Sequence, residues 1–540
     1  MASDKVLGID LGTTNSGMAV VEAGDPTMLQ NNDGRRLTPS VVHYDGDGDA
    51  LVGRQAIDRE PGEPNQVIRE IKRHMGESNY TEEVKGNEYT PPEVSAEILK
   101  KLKKDAETSL NEVEEAVITV PAYFTIDQTA ATKEAAEIAD FEEIHLLNEP
   151  TAAALAYGDG KDLNETLLVY DFGGGTLDIS LIDVADDEYM VLATDGDNKL
   201  GGADIDRALM ELLAERYEDE NDIEILSNDE CRANLRSEAE KAKKSLSSND
   251  EVEILAPFLG QINGELVSME EKVTRETFEE KVEDLLDRAI DPVDSALEKA
   301  DLSTEDIDTI LLVGGSTQIP AVQNQLEEHV GIKPTMTLDP DQIVAQGAAV
   351  YAQREVVESG YRCTICGKEF DDLRSMNEHY DERHDESEDE DVYECPYCEE
   401  EFDSERERQK HEGAEHRPKL SKQDDGITDI ISSSLGTELS DGSMAVIIEQ
   451  GTSTQDATGT DLFTTVRDNQ TRVRVGVYQG ENEIAEENRE IGEVVLKDIP
   501  PRPKGIPQIE VTFDYDKDGI LHVEAEDKES GDDVDGDFEL

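Results

Sequence analysis

Apolar residues along this chain fall into two rhythms. Short buried runs at Val6–Ile9, Leu167–Tyr170, Ile310–Val313, Glu115–Val120 and Ile144–Leu147 predict strands. Longer helical patterns cover Pro92–Asn111, Asp127–Ala139, Gly202–Arg216, Glu230–Leu246 and Arg275–Ala300. Their alternation from about residue 4 to 355 predicts α/β architecture. From Ile430 onward β patterns dominate, at Ala445–Glu449, Leu462–Val466, Val473–Tyr478, Ile509–Phe513 and Ile520–Glu524. Period-two alternation over Thr471–Val477 predicts a strand with one solvated face. Composition changes sharply near Arg354, where a segment rich in Cys, His and acids begins. The predicted division is therefore 1–355, 361–417, a polar linker at 418–429, an all-β region at 430–530 and a disordered acidic tail at 531–540.

Three of the predicted strands run into glycine-bearing turns: Gly8–Ser16, Tyr170–Asp178 and Leu312–Thr317. After the first two an apolar pattern resumes, as in hairpins. Glycine lets a turn bring backbone N–H groups close to an anion, and threonine adds hydroxyl donors. Asp10, Asp171 and Asp178 offer hard oxygens suited to magnesium and its waters. Two turns share a D-x-G plan with threonine within three residues of the glycine, which points to a duplicated fold gripping a nucleotide between its halves. There is no GK[ST] triplet, so the P-loop class is excluded.

Composition adds the solvent. The chain has 540 residues, with 49 basic against 129 acidic, for a net charge of −80 spread through every segment. Self-repulsion of that size is tolerable where the Debye length shrinks to about 3 Å, near molar salt. A salt-filled cytoplasm, as in halophilic archaea, is the expected setting. The charge also argues against broad nucleic-acid affinity. No apolar run is long enough to span a membrane, and Met1–Asp4 has no signal-peptide pattern, so a cytoplasmic location is expected.

Four of the five cysteines lie in the segment between Cys363 and Cys398. Cys363, Cys366, His379 and His384 are spaced C-x2-C-x12-H-x4-H, and Cys395, Cys398, His411 and His416 repeat that spacing. Each set supplies four ligands for a tetrahedral, structural zinc ion, with Phe370 and Phe402 at the same offset as core residues. The two units resemble C2H2 fingers of the nucleic-acid-binding type. Residues 361–417 carry a net charge of −13, however, and the connection Asp385–Glu394 is long and acidic. Phosphate contacts carry much of nucleic-acid affinity, so a protein partner or a spacer role is preferred.

The glycine turns, together with Val120–Phe124, Asn148–Ala154 and Gly201–Asp204, resemble the DnaK-type, or heat-shock-70, chaperone family; Ile506–Phe513 and Asp518–Val523 resemble its substrate-binding β domain. The resemblance covers residues 4–355 and, less evenly, 424–530. It implies an α/β, actin-like, two-lobed ATPase domain, here with a small ββα zinc-finger insertion and a C-terminal all-β substrate-binding sandwich. By position, Asp10, Thr13, Thr14 and Asn15 would form the first phosphate loop; Asp171, Gly173, Gly174, Gly175, Thr176 and Asp178 would form the second. Asp10 and Asp171 would hold magnesium largely through water. Lys72 would reach the γ-phosphate and attacking water, and Glu149 would help orient that water, with Asp10, Asp178 and Thr176 completing the catalytic set. Gly201, Gly202, Glu240, Lys243, Lys244, Ser247, Gly314, Gly315, Ser316 and Asp341 complete the nucleotide pocket. The implied cofactors are ATP or ADP, Mg2+, K+ as a further candidate, and two structural Zn2+ ions.

The chain also departs from that pattern. Gln318 stands where many relatives carry a purine-stacking arginine, and Thr129 replaces an arginine of the allosteric relay. The interdomain tetrapeptide is Asp425–Thr428, mostly polar, and the fingers interrupt its approach. Phe463, Val466, Val473 and Val475 are peptide-cleft candidates, the valines equally suiting a sandwich core, and Ser440 replaces a bulky arch residue. With ten residues after Ser530, no helical lid is expected.

The resulting expectation is an ATP-dependent chaperone in protein folding and the stress response. It would bind unfolded polypeptides weakly, with a J-domain co-chaperone and a GrpE-type exchange factor as candidate partners and no nucleic acid or membrane. An ATP-regulated zinc-finger scaffold with a vestigial β domain is the alternative. An actin-fold small-molecule kinase is disfavoured by the C-terminal match.

Overall fold

The computed structural model describes residues 5–46, 50–110, 112–161, 163–185, 188–336, 338–357, 427–454, 457–497, 499–515, 521–528 and 533–538. Four two-residue strands at 361–362, 369–370, 393–394 and 401–402 are described as well.

Two sheets built on one plan organise the first 355 residues. In the first, the hairpin Leu7–Asp10 and Asn15–Glu22 is flanked by the parallel strands Glu115–Val120 and Glu143–Asn148 on one side and by Asp25–Met28 on the other. In the second, the hairpin Asn164–Phe172 and Leu177–Ala185 has the parallel strand Thr309–Val313 on one side and Glu188–Asp197 on the other. Strands next to parallel partners are buried on both faces, which is why they read as continuous apolar runs. Both glycine turns are thus hairpin turns, as their patterns predict.

Between the sheets lie helices Glu149–Gly158 and Ile343–Tyr351, rich in alanine and glycine because their backbones nearly touch. A Cβ on Gly347 would come 1.7 Å from the Ala152 carbonyl, and one on Gly8 would meet the Ala349 nitrogen at 2.4 Å. These helices share an apolar cluster with Val117, Leu167 and Val169, so both sheets rest on one floor.

The single helix expected over Arg275–Ala300 is two, Arg275–Arg288 and Asp291–Lys299, and the second starts with Pro292 near its N-terminus. Proline fits a first turn but not a helix interior, so the chain breaks just before it.

The C-terminal β region is a pair of four-stranded antiparallel sheets around one core that includes Val477, Val511, Phe513 and Val523. The expected solvated face of Arg472–Gln479 holds only at its start, since the second half is buried throughout. The strand expected at Leu462–Val466 is Thr458–Phe463, and Val466 is exposed beyond it. Val475 is core, whereas Phe463 and Val473 are partly buried against that core. The acidic tail is corrected: Asp533–Phe538 pairs antiparallel with Leu521–Asp527, from Leu521↔Phe538 to Glu526↔Asp533. Edge pairing satisfies its backbone groups despite the charge.

Of the expected polar linker, residues 418–426 lie outside the described residues, and its end is not a plain linker. Ile427–Thr428 is a strand, parallel to Tyr189–Met190 at the edge of the second sheet. Backbone pairing needs no apolar side chain, and Ile427 supplies one that packs on the floor cluster. Next to it, half-buried Asp429 accepts hydrogen bonds from Asn148 Nδ2 at 2.7 Å and Thr151 Oγ1 at 3.3 Å.

Candidate nucleotide cleft

The hairpin turns of the two sheets face each other across a cleft of about 740 Å3. It is lined by Asp10, Thr13, Thr14, Asn15, Lys72, Glu149, Asp171, Gly173, Gly174, Thr176, Gly202, Glu240, Lys243, Lys244, Ser247, Gly314, Gly315, Ser316 and Asp341. Gly175, Gly201 and Asp178 stand just behind this lining. The glycines there are packed against backbone and short side chains. A Cβ on Gly174 would fall 1.9 Å from Thr14 Oγ1, one on Gly175 2.5 Å from Thr13 Cγ2, and one on Gly201 2.5 Å from the Gly175 nitrogen. Gly314 has φ +79°, and a Cβ there would meet the Phe172 carbonyl at 2.5 Å. The two turns therefore interlock, and no larger residue fits where they meet.

Charge in the cleft is one-sided. Asp10, Asp171 and Asp178 converge with Glu149 around a single lysine, Lys72, whose Nζ donates to Glu149 Oε1 at 2.6 Å. Burial, reinforced by the Glu149 charge, pushes the Asp10 and Asp178 carboxyls up to about 7, although Lys72 opposes the rise. Asp171 is raised by burial and by Glu149, Asp178 and Asp10. Asp178 accepts the Tyr123 N–H at 3.3 Å, but its other oxygen is buried with no hydrogen-bond partner. Such a set is short of positive charge and suits a divalent cation brought with a polyphosphate. Among the described residues no three carboxylates stand close enough to ligate an ion directly.

On the opposite wall, helix Asp229–Leu246 presents Glu240, Lys243 and Lys244, followed by Ser247. Lys243 donates to the Gly202 carbonyl at 2.9 Å and pairs with Asp206 at 2.9 Å. Burial raises Glu240, but the hydrogen bond from Lys244 and the charges of Lys244, Lys243 and Arg69 outweigh it and hold the carboxyl below its usual range. Ser316 Oγ donates to the Gly173 carbonyl at 2.8 Å, tying the third glycine turn to the second. Gln318 donates to Asp341 at 3.0 Å at the cleft rim.

Arg73 is a cleft residue that the sequence reading leaves without a role. It crosses between the lobes, donating to the Gly175 carbonyl at 2.9 Å and pairing with Asp204. Its only sequence signal is adjacency to Lys72. Asp206 is another, visible only once the fold brings Lys243 beside it.

The eight cysteines and histidines of the inserted segment, Cys363, Cys366, His379, His384, Cys395, Cys398, His411 and His416, lie outside the described residues. The strands that bracket each cysteine pair are described. Tyr361–Arg362 pairs with Glu369–Phe370, and Tyr393–Glu394 with Glu401–Phe402, in the same register.

Comparison with known proteins agrees with this architecture. The family model described as Hsp70 protein matches residues 6–362 and 412–537, and the model described as zinc finger, C2H2 type, matches residues 361–384. Two chaperone proteins DnaK, from Halobacterium salinarum strains R1 and NRC-1, are each 43% identical over 532 residues, covering 98% of this chain and 74% of theirs. Among the described residues, no helix is long and apolar enough to cross a membrane. With its duplicated hairpins meeting at a glycine-walled cleft and its β region matched to the end, this chain belongs to the Hsp70 family of ATP-dependent chaperones, whose members couple ATP hydrolysis to chaperone activity.

Proposed function

We propose that ATP lies in the cleft with its phosphates between the two hairpin turns and its adenosine against Glu240, Lys243, Lys244, Ser247 and the Gly314–Ser316 turn. The interlocked turns and the surplus of buried carboxylates around Lys72 carry this reading. Thr13, Thr14, Asn15, Gly174 and Thr176 direct amides and hydroxyls at phosphate oxygens. Asp10 and Asp171 hold the waters of Mg2+, with K+ as a further cation. Magnesium, when bound, neutralises the phosphate charge that these acids would otherwise repel. Lys72 and Glu149 hold the attacking water, and Asp178 and Thr176 fix the second turn.

The two lobes form residues 1–355; the β sandwich, with Asp533–Phe538 as a further strand, takes unfolded or extended polypeptides. Exposed Leu462, Val466 and Ile506 are apolar positions available to such a chain. J-domain and GrpE-type proteins are the candidate partners. The paired registers at 361–370 and 393–402 support two zinc fingers, and the net charge of −13 over residues 361–417 supports a protein contact rather than nucleic acid. The charge of −80 and the Halobacterium relatives support a cytoplasm near molar salt.

The test is ATP turnover in molar KCl, with and without an extended apolar peptide, before and after zinc chelation. Mg·ATP uptake by calorimetry, lost in Asp10→Ala, and peptide-stimulated turnover are the expected results. No uptake at native ionic strength overturns the nucleotide site; turnover without any peptide response overturns the chaperone coupling and favours the scaffold.

A further inference from the structure

Arg36 reaches the nucleotide cleft from the first lobe, on a loop built to hold it still. The buried Asn31 side chain organises that loop. Its Oδ1 accepts the Asp33 N–H at 3.0 Å and the Arg35 N–H at 2.9 Å. Its Nδ2 donates to the Leu37 carbonyl at 3.2 Å and to Thr38 Oγ1 at 3.0 Å. Asn32 Nδ2 donates to the fully buried Asp105, and strand Leu37–Pro39 then pairs with Asn15–Gly17 of the first sheet. Both ends of the loop are thus fixed to the lobe.

The Arg36 guanidinium crosses to the far rim of the cleft, where its Nη1 donates to Gln342 Oε1 at 3.0 Å. Gln342 follows Asp341, the acceptor of the Gln318 amide, and the Gly314 N–H donates to the Pro340 carbonyl at 3.0 Å. Residues 340–342 and the third glycine turn therefore form one wall, and Arg36 faces it across the opening. Arg36 is exposed, and among the described residues its side chain has that one hydrogen bond, to a neutral amide, and no carboxylate partner. Acids outnumber bases 129 to 49 in this chain, and Arg54 and Arg73, also at the cleft, each pair with one. A single exposed hydrogen bond holds a guanidinium weakly. This planar cation can turn onto a ligand at little cost.

We propose that Arg36 lies on the open face of the purine when nucleotide is bound, supplying from the first lobe the base contact that Gln318 does not make from the second. The Gln318 amide carries no charge and is committed to Asp341. A guanidinium is planar, always charged and stacks on aromatic faces, as a lysine ammonium does less well. The base is then gripped from both lobes. Near molar salt, where charge attraction is screened beyond about 3 Å, a contact at van der Waals range keeps most of its strength. This holds on the reading that adenosine lies against the Gly314–Ser316 turn.

Calorimetry on the full chain in molar KCl compares Mg·ATP with Mg·tripolyphosphate, which carries the phosphates and no base. Because Arg36 is exposed, its variants should fold as the parent does. Arg36→Ala should weaken ATP binding about tenfold and leave tripolyphosphate within about twofold. Arg36→Lys keeps the charge without the planar face and should fall with the alanine variant. Adding Gln318→Arg to Arg36→Ala returns a guanidinium to the same rim and should recover most of the ATP affinity. Unchanged ATP affinity in Arg36→Ala overturns the proposal. So does an equal loss for ATP and tripolyphosphate, which makes the arginine a latch between the lobes, and so does parental affinity in Arg36→Lys, which makes it a charge alone. A double variant no tighter than Arg36→Ala overturns it as well. A parent that binds tripolyphosphate as tightly as ATP overturns the adenosine reading itself, a result obtained before any variant is made.

Discussion

Lys72 Nζ and Glu149 Oε1 meet at 2.6 Å, contributed by segments 77 residues apart, with side chains only 5% and 9% exposed. The pair is not symmetric in its surroundings, because Asp10, Asp171 and Asp178 crowd the same space. Removing the lysine leaves four buried carboxyl groups without a cation. Removing the glutamate charge relieves its acidic neighbours. Lys72→Met should therefore destabilise the nucleotide-free protein by about 3–5 kcal/mol at pH 8, the range for breaking a buried pair, and Glu149→Gln by clearly less. Both should lower single-turnover hydrolysis by about a hundredfold. Chemical denaturation in molar KCl and quench-flow kinetics check the two halves; equal destabilisation would show that the lysine does not compensate the acids.

The same crowding sets a pH dependence. Asp10 and Asp178 are raised to about 7 by burial, above the carboxylate value of the unfolded chain. Between roughly pH 4 and 7 the folded protein then binds more protons than the unfolded one, so stability falls as pH rises through this window. Nucleotide-free protein should have a lower denaturation midpoint at pH 8 than at pH 6. Asp10→Asn should flatten that slope, and saturating Mg·ATP should flatten it too, by stabilising the charged acids. A slope unaltered in Asp10→Asn would assign the pH dependence elsewhere.

The glycine that packs on the second turn from the cleft wall and the glycine in the floor should fail differently. Gly201→Ala puts a methyl group 2.5 Å from the Gly175 nitrogen, inside the cleft wall. ATP affinity should fall about tenfold or more, with a stability loss of about 1–3 kcal/mol from overpacking. Gly347→Ala pushes on the Ala152 carbonyl in the floor instead. Its stability loss should be larger than that of Gly201→Ala, and the folded fraction should bind ATP with an affinity closer to the parent's. Calorimetry alongside thermal unfolding separates the two effects.

Zinc should be structural and local. Metal analysis should find two ions per chain, one of them lost in Cys363→Ser, because each spacing supplies its own four ligands. Chelation should expose residues 361–417 to protease while leaving Mg·ATP affinity within about twofold, since the cleft shares no residue with the fingers. A retained stoichiometry of two in Cys363→Ser would disprove this ligand set.

Much of this molecule is legible in residue order, for a physical reason: turns, strands next to parallel partners and metal-ligand spacings are local. D-x-G followed closely by threonine after an apolar run specifies a hairpin turn with few alternatives, and both such turns form where the pattern puts them. Pro292 marks the helix break that a continuous polar-apolar pattern over Arg275–Ala300 conceals. The acidic stretch Asp533–Phe538 looks unable to pack, yet it needs only a neighbour's edge to satisfy its backbone.

What tertiary structure alone decides is which distant groups come to share a low-dielectric space. Nothing in the order of residues places Arg73 across the cleft on Gly175 and Asp204, Asp206 beside Lys243, or Arg489 over Gly76. The pairing of the two-residue strand Ile427–Thr428 with Tyr189–Met190 is likewise a matter of edge availability, not of side-chain pattern. Local chemistry determined the parts and the acidic charge. The cleft and its contacts arise only when chain closure brings those parts within hydrogen-bonding reach.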